Sequence, residues 1–326
     1  MIPDSPARYG HPYQCYRSQG ATLEDTGGDP LRCQLIETGG GLSLTVLWDR
    51  CMDVGQLSYR GCSIPFLSMS GLGVPAGEGF GHSFGGGMLH TCGLSHIGPA
   101  IDSQPMHGRI HHRPAQSRCA SVSGDKIRLS GEMRESALFG ASWRLKREWI
   151  FPLGQSRMLL RDTVTNLSAQ SQTLLILYHI NLGHPFLSEA LSLRFPAGTQ
   201  TFPATSEASA ALKDIARMTA PSPDAPELDY HHLLPAGQGY AAIRAVNPEL
   251  NIAMDLRYAV DELPWLVEWK YLRQGEYVLG LEPANNRVES AQEARQHGRG
   301  RLLAPGERCT MQLEIAFSPC ITDGKG

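Results

Sequence analysis

What this sequence lacks narrows it first. No stretch approaches the ~18 consecutive apolar residues that a membrane-crossing helix needs, and Met1 to Cys15 is polar and proline-bearing where a secretory signal would carry an apolar core. The expectation is a cytoplasmic protein with no membrane partner. Runs of one charge are also missing: Asp/Glu and Lys/Arg are interspersed to a net charge of -3, so no basic block exists to neutralise a phosphate backbone. That excludes nucleic acid as a partner. The eight cysteines (Cys15, Cys33, Cys51, Cys62, Cys92, Cys119, Cys309, Cys320) form no CxxC pair, which suits neither a zinc cluster nor a disulfide scaffold, and they read as reduced thiols. No GK[ST] follows the glycines of Gly81 to Gly87, and no GxSxG elbow surrounds Ser83 or Ser95, whose neighbours His82 and His96 would otherwise suggest a hydrolase.

Helical periodicity is scarce too. Only Ser206 to Met218, alanine-rich and led by Thr205 and Ser206 as candidate N-caps, reads as a helix. What is present is period two. From Ala141 to Phe151, Trp143, Leu145, Trp149 and Phe151 alternate with Arg144, Lys146 and Glu148; Arg308 to Ser318 repeats the pattern, as half-buried strands do. Shorter runs of the same kind recur along the chain, and the 35 glycines and 22 prolines supply the turns between them. There is no βα alternation, so the fold class is all-β, an antiparallel sandwich with a few short helices. Residues 31–326 form one domain, with residues 1–30 as an extension packed on it or leading into it. Gly71 to Arg113, rich in Gly, His and Ser, reads as a long functional loop, and Pro221 to His232 as a surface connection.

Three places carry chemistry. The run Gln172 to Asn181 is apolar on both faces until His179 and Asn181, which share one face at its end. The run Tyr277 to Leu281 is likewise apolar until Glu282, and a carboxylate there must be paired, at an edge, or kept for use with a raised pKa. A satisfied structural histidine and a salt bridge to an Arg or to Lys270 are the plain alternatives. The third place is His107-Gly108-Arg109-Ile110-His111-His112-Arg113, a cationic cluster whose spacing matches no zinc signature; it suits donors to sugar hydroxyls, or to a carboxylate or sulfonate, better than a metal. Trp265, Trp269 and Tyr271 alternate on a face of their own and read as core, with Glu268 and Lys270 opposite as a surface ion pair.

The segments Asp162-Thr163-Val164-Thr165-Asn166-Leu167, Leu177-Tyr178-His179-Ile180-Asn181-Leu182 and Gly280-Leu281-Glu282-Pro283-Ala284-Asn285 resemble, in order and spacing, successive segments of the aldose 1-epimerase (galactose mutarotase-like) family. Gly86 to Leu94, Met106 to Arg109 and Glu268-Trp269-Lys270 are similar to an uncharacterised branch of it. The resemblance covers roughly Leu31 to Phe317 and implies the family's large antiparallel supersandwich with a free sugar in a concave groove. It implies Glu282 as base, His179 as acid and His107 as a further histidine at the sugar. His179 stands two residues before Asn181 where the family's strand histidine stands four, a shift that keeps the face and changes the depth. The family's sugar-gripping arginine has no counterpart near Gly81 to Gly93, where His82 and His90 stand, and Arg109 is the expected substitute. Asp229, in Asp229-Tyr230-His231, loosely echoes the substrate-binding aspartate; Asn181, Lys270 and Asn285 complete the expected substrate contacts.

The activity so implied is the interconversion of anomers by acid–base catalysis without cofactor or metal, in a monomer or homodimer whose partner is a small carbohydrate. Two alternatives stay open: an isomerase, epimerase or lyase on a keto- or acidic sugar, with Lys270, Arg109 and the histidines stabilising an enolate, or a sugar-binding protein without turnover.

Overall fold

A computed structural model of the chain describes residues 8–24, 27–73, 79–101 and 104–320. The start of the N-terminal extension thus lies outside the described residues. Period-two sequence becomes three antiparallel sheets. The largest has eight strands, in the order Ser192–Arg194, Tyr240–Asn247, Ile252–Ala259, Arg308–Ser318, Arg157–Asn166, Ser142–Pro152, Lys126–Ser136 and Gln116–Ser123. A second runs Gln200–Pro203, Glu227–Leu233, Trp265–Arg273, Glu276–Ala284 and Gln172–Leu182. The free edge of Gln172–Leu182 is shared end to end, Arg301–Leu303 pairing with residues 172–174 and His90–Leu94 with residues 175–179. Five shorter strands, from Arg17–Leu23 to Cys62–Ser63, make the third sheet, so the N-terminal extension contributes an edge strand.

The two large sheets face each other over one core. Trp143, Leu145, Trp149 and Phe151 from one meet Leu174, Ile176, Tyr178 and Ile180 from the other, and all are essentially inaccessible to water. At about 1.5–3 kcal/mol for each large apolar side chain buried, this layer holds the sandwich together. The alternate residues of Gln172–Leu182 turn to the outer face, where Leu175 and Leu177 pack with Cys92, Ile97, Val267, Ala284 and Ala294. That second cover explains why the strand is apolar on both sides. His179 and Asn181 continue this outer face beyond the apolar cluster.

Four expectations change. The stretch from Gly71 to Arg113 contains a strand, His90–Leu94, and helical turns at Phe80–Ser83 and Ile110–His112. Pro221 to His232 is not wholly a connection, because Glu227–Leu233 is a strand inside the second sheet. The helix foreseen over Ser206 to Met218 stops at Ala210 and becomes a tight turn, Leu212–Asp214. The carbonyls of Asp214, Ile215 and Arg217 are thereby released to Lys270 Nζ, which lies inside the sandwich. Finally, Glu268 and Lys270 are not a surface pair: both are buried, 3.0 Å apart, on the core side of their strand.

Candidate functional site

Strand register assembles the site. Across the pairing of Gln172–Leu182 with Glu276–Ala284, Ile180 meets Leu281 and Leu177 meets Ala284, which sets His179 beside Glu282 on the outer face. The pairing with His90–Leu94 places His90 opposite His179, and the Trp265–Arg273 strand brings Trp269 opposite Gly280. One sheet face therefore carries His90, His179, Glu282 and Trp269 on three neighbouring strands and the short one. Gly280 keeps the space between them open: a Cβ there would collide with Glu282 Oε1 and stand 3.3 Å from His179 Cε1.

The loops close over this floor. Phe84 lies against His90, His179 and Trp269 at ring separations of 5.2, 5.2 and 6.2 Å, and Phe80 contacts His107 at 4.6 Å. As a result His179 is 4% exposed and Glu282 2%. His107 has φ +60, a left-handed backbone rare for non-glycine residues, and it is held by Gly98 O accepting from its N–H and by its own carbonyl accepting from Gly93. Next to it opens a cavity of about 470 Å³, lined by Phe80, His90, His107, Arg109, His111 and His112 among others. A larger one, about 630 Å³, lies on the far side of Arg109 and Arg113 and takes in Ser95, Glu135 and Arg295.

His179 Nε2 is 3.1 Å from Glu282 Oε1, an ion-pair distance without the alignment of a hydrogen bond, and His179 Nδ1 has no hydrogen-bond partner. Burial disfavours charge on both: it drives the Glu282 carboxyl well above the usual carboxylate range, with Asp229 and Glu227 adding to the shift, and pushes the His179 imidazole well below its usual range, with His107 adding to it. A neutral carboxylic acid beside a neutral imidazole and a carboxylate beside an imidazolium hold the same number of protons. A proton passing between the two groups therefore leaves the pair's proton count unchanged. Asp229, half-buried and opposite Trp269, is raised to about 7, first by burial and then by Glu227.

The other residues singled out in the sequence divide. His107 and His90 join the pair; burial brings His107 down to about 4 and His90 well below its usual range. His107 Nδ1 is 2.7 Å from Ile97 O, which only accepts, so the ring donates from Nδ1 and presents Nε2 as an acceptor. Arg109 lines both cavities, with Nη1 donating to Gln104 at 2.8 Å. Asn181 shares the face of His179 but spends its amide on the carbonyls of Gly87 and His179. Asn285 is engaged on both sides by backbone, accepting from Ile176 N and donating to Leu174 O, in place of strand pairing. Lys270 is not with the pair at all: it points to the core, because it alternates with Trp269 along one strand.

Trp269, whose spacing suggests core, is a half-buried wall of the site, 5.3 Å from the His179 ring. Phe80 and Phe84 gave no sequence signal, since they lie in aperiodic chain. Among the described residues no group of three or more His, Cys, Asp or Glu has a geometry that would hold a metal ion, and no helix is long and apolar enough to cross a membrane.

Comparison with known proteins places this architecture. A Klebsiella pneumoniae protein named as a candidate aldose 1-epimerase superposes with a TM-score of 0.85 at 21% identity, over 93% of this chain and 83% of that one. A galactose mutarotase-like protein from Clostridium acetobutylicum gives 0.65 at 13% identity (94% and 99% covered), and the galactose 1-epimerase of Lactobacillus acidophilus 0.63 at 12% (93% and 99%). At such identities the likeness establishes the fold, the galactose mutarotase-like sandwich that the sequence motifs implied. No curated protein matches the sequence. The family model for a domain of unknown function, DUF4432, matches residues 30–317, nearly the whole of the sandwich, and the chain belongs to that family.

Proposed function

We propose that the chain interconverts the anomers of a free sugar or sugar derivative, with Glu282 and His179 as its acid–base pair. One observation carries the reading: two titratable groups 3.1 Å apart, both buried where charge is disfavoured, on the floor of a sandwich whose structural relatives include a galactose 1-epimerase. Opening a pyranose removes a proton from the anomeric hydroxyl and delivers one to the ring oxygen. With the proton on His179, Glu282 takes the O1 proton while His179 protonates the ring oxygen; C1–C2 rotation follows, and closure reverses both transfers. The pair returns to its starting state without a cofactor. Trp269, Phe84 and the neutral imidazoles exclude water around it.

Arg109 and Arg113 beside the cavity favour a second reading, an isomerase, epimerase or lyase on a keto- or acidic sugar. That reading loses one stabiliser of an enolate, since Lys270 is on the other side of the sheet. A single experiment separates the two: NMR of purified protein with neutral, acidic and sulfonated sugars, following anomeric exchange and deuterium uptake at carbon. Accelerated exchange without carbon deuteration is the expected outcome. Carbon deuteration would move the assignment to the second reading, and binding without either process would leave a sugar sensor.

A further inference from the structure

His111 lies in the cavity wall, stacked on His90 at a ring separation of 3.6 Å. Its Nδ1 is 2.9 Å from Asp53 Oδ2. Asp53 is buried and already accepts from Thr91 N, Thr91 Oγ1 and Arg147, whose guanidinium is clamped on its other side by Asp162. A carboxylate with these partners only accepts, so His111 Nδ1 carries the hydrogen and the nitrogen left for the cavity, Nε2, offers a lone pair. The reverse holds for His112: Arg50 Nη1 donates to its Nδ1 at 3.2 Å, which leaves the hydrogen on Nε2. Adjacent rings of the cluster are thus fixed in opposite tautomers by partners that never change role. The sequence suggests donors at His107, His111 and His112; two of the three, His107 and His111, present acceptors.

We propose that His111 is a specificity-determining residue of this cavity, accepting at Nε2 a hydrogen bond from one substrate hydroxyl, with Asp53 as the positioning residue that holds its tautomer. A hydroxyl satisfies this cavity-facing lone pair, whereas a carboxylate, sulfonate or phosphate oxygen cannot, because it has no hydrogen to give. Asp53 favours a second proton on the ring, but burial first, and Arg50 and Arg147 after it, outweigh that and hold the His111 pKa below its usual range. A sugar lacking the matching hydroxyl leaves the Nε2 lone pair buried and unmatched, a loss that sites of this kind convert into strong discrimination. The inference deepens the anomer-exchange reading and rests on it for the identity of the ligand as a sugar.

The test uses the full chain with D-glucose, D-galactose and their monodeoxy analogues, following anomeric exchange together with histidine ring-nitrogen NMR signals. Wild-type protein should show His111 as the Nδ1–H tautomer, shift its Nε2 signal on sugar binding, and disfavour one monodeoxy sugar by on the order of 10²-fold or more in kcat/KM. His111→Phe should erase that single preference, lowering kcat/KM for the parent sugar toward that for its deoxy analogue. Asp53→Asn, whose amide would donate to Nδ1, should move the hydrogen to Nε2 in the ring-nitrogen signals and admit a carboxylate-bearing sugar that the wild type excludes, wherever far-ultraviolet circular dichroism shows the variant folded. An Nε2–H tautomer in the wild type, or a deoxy-sugar pattern unchanged in His111→Phe, overturns the proposal. A His111 signal that shifts with sugar in the absence of any exchange keeps this contact and sinks the anomer reading; sugars that move no histidine signal sink both.

Discussion

The second sheet carries two histidine–glutamate pairs of identical separation on opposite faces. On the core side, His232 Nε2 is 3.1 Å from Glu268 Oε2; on the outer side, His179 Nε2 is 3.1 Å from Glu282 Oε1. Both pairs are buried. They differ in what completes them. Lys270 Nζ stands 3.0 Å from the other Glu268 oxygen as an ion pair, Thr201 meets His232 Nδ1 at 2.9 Å, and three backbone carbonyls accept from Lys270. The outer pair has no such third member among the described residues: His179 is the partner that Glu282 has, His179 Nδ1 is unpartnered, and Asp229 and Glu227 oppose the Glu282 charge. Completed charge clusters tie elements together, and incomplete ones keep a proton available for exchange.

Substitutions break this contrast in a definite order. Glu282→Gln should cost on the order of 10³–10⁴-fold in anomeric exchange measured by NMR. The fold should not suffer: the carboxyl's pKa is raised, so the stability it contributes is present at low pH and lost as pH rises, and the neutral amide should melt higher than wild type under alkaline conditions. Lys270→Met does the opposite. It strands Glu268 as a buried charge and should lower stability by about 3–5 kcal/mol in denaturant titrations, with exchange per folded molecule little changed.

Acid sharpens the same point. His107 and His231, held near 4, are buried neutral, so the unfolded chain binds protons before the folded one does. Stability should be full above about pH 6.5 and fall as pH drops toward 4, by up to about 3 kcal/mol for each such ring, in urea midpoints measured across that window. The smallest effect is expected at Gly280→Ala. Its methyl displaces the Glu282 carboxyl and crowds His179, which should reduce exchange by about 10²-fold while leaving the substituted strand paired.

Much of this was legible in the residues themselves. Period two over Ser142–Pro152 and Arg308–Ser318 fixes which side chains enter the core, because pleated backbone sends alternate residues to opposite faces whatever the fold around it. The arrival of His179 and Glu282 at the ends of apolar runs marked them as out of place for the same reason. Arg147 carries a signal of the same kind: it shares the buried phase of Leu145 and Trp149, and it is the cation that holds Asp53 and Asp162.

Tertiary structure alone decided the rest. Alternation separates Trp269 from Lys270 but does not say which face will be covered, and the covering of the core face made Lys270 structural and Trp269 a wall of the site. The tautomers of His107, His111 and His112 depend on Ile97, Asp53 and Arg50, the latter two more than 50 residues away in the chain. Which side chains stand where is written in local periodicity; which of them keeps a free proton or lone pair depends on partners that only the closed sandwich brings within about 3 Å.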